Sequence, residues 1–197
     1  DISREMELDE LRKLQKEVQS AAQDIKSSVE TAARDAESGF KSVEQQLQDG
    51  IKALCAGDGR LGEEVARLDH KVNAMEVAID EDCSRILATR GPTASDLRLI
   101  VAIIKTITDL ERIGDEAEKL GSIASRLATL DRPTDRYREI KHVGDLVADM
   151  VHGALDAFAR MDTDAALAVA RQDRVVDEEY EALQRQCITF MMEDPRT

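Results

Sequence analysis

The sequence predicts an all-α protein: a tandem repeat of two three-helix bundles, with a long first helix and a second bundle incomplete at its C-terminus. Composition is the first reason. Only 3% of the 197 residues are aromatic, Trp is absent, and Gly and Pro number 10 and 3. That is poor material for strands and turns, whereas the abundant Ala, Leu, Glu, Lys, Arg and Gln are strong helix formers. The second reason is periodicity, because apolar residues recur by threes and fours along most of the chain. The third is a repeat. Shifting the chain by 104 positions lays Ala66-Arg67 on Ala170-Arg171, Asp69 on Asp173, Val72 on Val176 and Cys83 on Cys187. Upstream, Val43 falls on Val147, Ile51 on Leu155 and Leu54 on Phe158. Two copies of one helical unit follow, the second without its third helix.

The first helix carries Leu11, Leu14, Val18, Ala21, Ile25, Val29, Ala32, Ala36, Phe40, Val43, Leu47, Ile51 and Leu54, spaced on average about 3.6 residues apart. Such a rod is longer than a bundle needs, and Gly39 is its expected weak point. The Gly-Asp-Gly turn at 57–59 ends it. A second helix turns Leu61, Val65, Leu68, Val72, Met75, Ile79 and Ile86 inward, and the TRGPTASD break (89–96) closes it. The third carries Ile100, Ile103, Ile104, Ile107, Leu110, Ile113, Ala117, Leu120 and Leu127. Proline disfavours helix in the residue before it, so DRPTD (131–135) separates the halves. A fourth helix reaches about Met161, a fifth runs from about Asp164 to Met192, and Pro195 opens a further element. The resulting division is an N-terminal helical extension of uncertain origin (1–38), a first bundle (39–131) and a second, truncated one (134–197).

Charge removes whole classes of function. With 27 basic and 41 acidic residues the net charge is −14, which repels phosphate backbones, so nucleic acid is not an expected partner. The longest strongly apolar run, Leu99 to Ile104, is far short of the ~20 residues of a membrane span. Cys55, Cys83 and Cys187 are odd in number, without a CxxC pair, and are expected to be reduced, buried residues of a cytoplasmic protein.

The chemistry-bearing candidates are carboxylates. Glu111 and Asp115 are four apart on the third helix and therefore share a face, extended by Thr108 and Glu118. Like charges at that spacing repel unless a cation or arginine lies between them. Gly114, inside this strongly helical run, costs about 1 kcal/mol against Ala and points to close approach by another backbone or a ligand. The second helix offers Asp69 and Asn73, with Glu76 and Asp80 beyond, and the fifth offers Asp173 and Asp177 at the equivalent phase. Hard oxygen ligands without His or Cys favour Mg, Ca or Mn, and admit iron through bridging carboxylates. The bland alternative is a solvated acidic face. Glu139 and His142 form one ExxH pair without a second, and a di-iron site requires two. GxSxG, P-loop, GxGxxG and HExxH patterns are all missing from the sequence. A catalytic role is therefore not expected.

The segment RGPTASDLRLIVAIIKTITDLERIGDEA (90–117) resembles the signature of the PhoU phosphate-uptake regulators, in their proteobacterial form. Residues 142–180 and ITFMMEDPRT (188–197) fit the same family, so the likeness covers about 43–197. It implies a tandem of two three-helix bundles and a cytoplasmic, often dimeric protein. Such a protein couples the ATPase of the phosphate ABC transporter to the sensor histidine kinase PhoR and holds starvation signalling off. It also implies an E(D)xxxD metal motif, met here by Glu111 with Asp115 and by Asp173 with Asp177; at Asp69 an amide, Asn73, replaces the second acid. Mg, Mn, Fe or Zn, singly or in clusters, are the ions this implies. The family's last helix, with its second ERIGD-type motif, does not appear before Thr197. Two other classes compete with this reading: a carboxylate-bridged metal store or enzyme, and a helical scaffold or coiled-coil interaction module built on the first helix.

Overall fold

The computed structural model describes residues 2–130 and 137–193, so the expectations placed on DRPTD and on Pro195 lie outside the described residues. Five helices follow in order: α1 Ile2–Ala56, α2 Gly59–Arg90, α3 Ala94–Leu127, α4 Arg138–Ala159 and α5 Thr163–Glu193. The all-α expectation holds, and the helix ends fall within a few residues of the predicted breaks.

Local chemistry explains the turns. Gly57 has φ 72°, the left-handed conformation that closes a helix at least cost when the residue lacks a Cβ. Asp58 N then donates to Ala53 O, and Asp58 Oδ1 accepts from Arg60 N and Leu61 N at 3.1 and 3.0 Å. One carboxylate thereby satisfies two of the unpaired N–H groups that open α2. Between α2 and α3, Gly91 takes φ 55° and Thr93 O accepts from Leu97 N. Asp162 caps α5 in the same way, accepting from Ala165 N at 2.9 Å.

The described chain forms two compact units. One comprises Asp1–Gly39 with Ala74–Asp109, the other Phe40–Asn73 with Leu110–Thr197. In the first unit Val29, Ala32 and Ala36 of α1, Ile79, Cys83 and Ile86 of α2, and Ile100, Ile103 and Ile107 of α3 are buried. Part of the 1–38 stretch is therefore core, the stripe's spacing continuing through it without a change of phase. Ala21, by contrast, is exposed. The helix does not break at Gly39: a Cβ there would meet only Met75 Cε, at 3.5 Å, and hydrogen bonding carries α1 through.

In the second unit Leu47, Ile51, Ala117 and Ala148 form one core cluster, and Ala53, Leu54 and Ala124 another. Phe40 and Phe158 meet edge to face at 5.6 Å, which brings α4 onto α1. Glycines set the closest crossings. A Cβ on Gly62 would lie 2.5 Å from Gly121 O, and one on Gly121 2.6 Å from Gly62 O. Ser125 Oγ donates to Gly59 O at 2.9 Å, adding a hydrogen bond to the same α2–α3 contact. α5 packs on α4 yet contributes no buried residue. Leu167, Val175, Tyr180, Ile188, Met191 and Met192 all stand exposed on it.

Candidate functional site

The expected site residues separate into two groups. Asp69 and Asn73 on α2 and Glu111 and Asp115 on α3 are half-buried in the second unit. Asp173 and Asp177 are exposed, on a helix, α5, that contributes no buried residue. Among the described residues, no three His, Cys, Asp or Glu side chains converge as a metal-holding group.

What the structure does assemble is smaller and lies inside the fold. Asn73 Nδ2 donates to Asp69 Oδ2 at 2.9 Å, the i, i+4 reach of one helical turn. Gln46 of α1 is fully buried at 0% exposure, and its Nε2 donates to Val65 O at 3.3 Å. Gln46 Oε1, Asp69 Oδ1 and Asn73 Oδ1 are buried without a hydrogen-bond partner. The position of a Cβ on Gly114 would be 3.4 Å from Gln46 Oε1, 3.6 Å from Asp69 Oδ1 and 3.3 Å from Val72 Cγ1. Gly114 is thus closely approached by the side chains of Val72, Gln46 and Asp69, where the sequence led us to expect a backbone or a ligand. Gln46 was missed by sequence reasoning. Its signal was a polar residue between Val43, Leu47 and Gly50 on the buried face of α1.

Elsewhere the polar groups satisfy one another. Lys119 donates to Glu116 at 2.7 Å; that bond and the Glu116 charge, with smaller help from Asp115 and Glu118, hold its pKa above the ordinary value against desolvation. Glu118 accepts from Ser122 at 2.9 Å, and Thr108 donates to Ile104 O. Glu139 pairs with Arg138 at 3.8 Å, and Glu139 and His142 line a cavity of about 160 Å³ between α4 and α5. In the first unit a cavity of about 280 Å³ between α1 and α2 is lined by Ser27, Thr31, Arg85 and Arg90. Both arginines are already paired, Arg85 with Asp82 at 2.8 Å and Arg90 with Asp24 at 3.7 Å, which leaves little field to draw an anion.

The cysteines are all free, but only Cys83 is buried; Cys55 is half-buried and Cys187 exposed. The expectation of three buried thiols therefore holds only at Cys83, and Cys187 lies on a helix that contributes no buried residue. Burial, then the charges of Asp80 and Asp82, raise the Cys83 pKa from 9.0 to about 11. Its proton is held more tightly in the folded state, so this contribution to stability is complete below pH 9 and fades as pH climbs through about 11. At pH 8 a thiol reagent is expected to label Cys187 at once and Cys83 only on unfolding, read by mass spectrometry of timed samples.

Comparison with known proteins places this geometry. The PhoU domain matches residues 36–124 and again 140–197. The chain belongs to the PhoU family. It is 50% identical over 147 residues to the phosphate-specific transport system accessory protein PhoU homolog of Pseudomonas putida, covering 75% of this chain and 57% of that relative. To the PhoU of Escherichia coli strain K12 it is 48% identical over 151 residues, with 75% and 61% covered. The chain thus spans about three-fifths of the length of these PhoU relatives. The crystal structure of PhoU from Pseudomonas aeruginosa superposes with a TM-score of 0.83 at 46% identity, covering 87% of this chain and 82% of that one. PhoU from Streptococcus pneumoniae, at 24% identity and a TM-score of 0.77 over 86% and 80% of the two chains, shares the fold. No helix of the described residues is long and apolar enough to cross a membrane.

Proposed function

We propose that this PhoU-family chain is a non-enzymatic negative regulator of phosphate uptake and of phosphate-starvation signalling. It acts in the cytoplasm, as a homodimer, by linking the ATPase of the phosphate ABC transporter to the sensor kinase PhoR. The observation that carries the reading is half identity to proteins named as accessory components of a phosphate-specific transport system. Physically, a chain of net charge −14 offers its partners acidic helix faces, and α5 adds exposed Leu167, Tyr180 and Ile188. Such a mixed surface suits regulated association better than permanent burial. Glu111 and Asp115 are the carboxylates that divalent ions would bridge at such a surface, lowering their mutual repulsion. The same reading takes 39–131 and 134–197 as two copies of one ancestral unit, with 1–38 an extension; the paired domain matches support it.

The test uses the chain in a bacterial host deleted for its own PhoU and carrying a phosphate-starvation reporter. Repression of the reporter in phosphate-rich medium, with co-purification of the transporter ATPase and PhoR, is the expected result. A reporter that stays fully induced, with neither partner retained in the presence or absence of Mg or Mn, would overturn it.

A further inference from the structure

We infer that the seam between α1 and α2 in the first unit docks a helix of a partner protein and takes an arginine side chain from it. The site is a groove of about 300 Å³ lined by Asp35 and Ser38 of α1 and by Met75, Ala78, Ile79 and Asp82 of α2. Small residues keep it open. Gly39 has no side chain, and a Cβ there would meet only Met75 Cε, at 3.5 Å; Ala78 is exposed and covers little of the floor. The seam continues past Asp82, which also lines the cavity of about 280 Å³ beside Ser28, Thr31, Ala32 and Thr89. From Ser27 to Ser38 it runs about 16 Å along α1, three turns of helix, a length that suits helix-in-groove docking.

The polar rim of this seam is made of acceptors. Asp35 is exposed and, among the described residues, has neither a hydrogen-bond nor an ion-pair partner. Asp82 engages one of its two oxygens with Arg85. Ser28, Thr31 and Thr89 spend their hydroxyl protons on the carbonyls of Asp24, Ser27 and Arg85, so their oxygens are left to accept. A guanidinium carries five donors and no acceptor, and its stem lies on apolar surface while its head reaches a carboxylate. Carboxylates on two facing helices suit its planar fork better than the point charge of a lysine. Met75, unbranched and polarizable, adapts to the stem. Arg85 and Arg90 at the far end of the seam hold the incoming charge at the Asp35 end. A second copy is a poor source, since two chains of net charge −14 repel each other; the partner is a protein with a basic surface. The α1 wall as far as Asp35 precedes residue 36, where the PhoU domain match begins, so the groove is a feature that the domain match does not carry. The inference rests on the reading of the chain as a regulator that associates with other proteins, and it names the chemistry of one contact.

The experiment is NMR of the whole chain carrying 13C-methyl methionine, titrated with an alanine-based helical peptide that bears one central arginine between two leucines. A second peptide replaces the arginine with citrulline, which keeps the shape and removes the charge. The expected result is a saturable shift of the Met75 methyl signal, with the citrulline peptide bound about fivefold more weakly. Asp35→Asn should weaken the arginine peptide by a similar factor and leave the citrulline peptide unchanged, while Ala78→Phe should block both. Asp35 and Ala78 are exposed; should Ala78→Phe nevertheless fail to fold, Asp35→Asn alone decides. Equal affinity for the two peptides, no Met75 shift, or full affinity in Asp35→Asn would overturn the inference. So would a Met75 shift that grows with protein concentration in the absence of peptide, which would give the seam to a second copy. The methyl signal reads the groove whether or not the chain represses the starvation reporter, so the two readings fail separately.

Discussion

Gly121→Ala is expected to destabilise the protein by about 3 kcal/mol, at the severe end of what one added methyl does in a packed core. The methyl would stand 2.6 Å from Gly62 O and 3.1 Å from both Val65 Cβ and Cγ1. A backbone carbonyl at that distance cannot rotate aside as a side-chain tip can, so α2 and α3 must separate. Their separation also strains the hydrogen bond from Ser125 Oγ to Gly59 O and loosens Leu61 and Ala124 in the adjoining cluster. Helix propensity works in the opposite direction, since Ala in place of mid-helix Gly gains up to ~1 kcal/mol, and it is outweighed. Gly39→Ala isolates that term: with only Met75 Cε nearby, at 3.5 Å, it should stabilise by up to ~1 kcal/mol. Urea denaturation of the two variants beside the parent makes the comparison, and equal midpoints for all three would refute the crossing described here.

Ile51→Ala is the second large effect, about 3 kcal/mol within the usual range for Ile-to-Ala truncation in a core. Ile51 is 8% exposed and belongs with Leu47, Ala117 and Ala148 to the cluster joining α1, α3 and α4. A Cβ on Gly144 would lie 2.8, 3.2 and 3.3 Å from Ile51 Cγ2, Cγ1 and Cδ1, so the isoleucine fills a notch that α4 leaves open for it. Truncation removes the knob without closing the notch, and a cavity remains where the helices meet. The expected signature is loss of stability together with faster amide exchange in α4 around Val147 and Val151. Loss of global stability with α4 protection unchanged would show that the helix is held mainly elsewhere, by Phe158 against Phe40 for example.

Legibility from sequence followed the physics. Spacing of three and four is a direct imprint of a buried helix face, so Val43, Leu47, Ile51 and Leu54 were readable and are buried. Capping was readable in the Gly-Asp-Gly turn because the left-handed residue and the side-chain acceptor are each chemically restricted. Gly39 misled because its propensity cost is small beside the packing of a stripe that runs on both sides of it. The carboxylates were readable as pairs on one helix, but not as a site. Whether Asp69 meets Gln46, and whether Asp173 meets anything, depends on which helices lie side by side. Gln46 shows the same limit: one polar residue in an apolar stripe is visible, while the direction of its amide is a tertiary fact.

α5 carries a consequence of its own. A 31-residue helix with no buried side chain is held to the rest by half-buried residues such as Val169, Val176, Leu183 and Phe190, so little free energy separates docked from detached forms. Arg171, Arg174 and Arg185 are all exposed along it. Trypsin at low dose should therefore nick the chain at these arginines while α1 to α3 survive as a resistant fragment, and a bound partner that seats on α5 would be recognisable by the cuts it prevents.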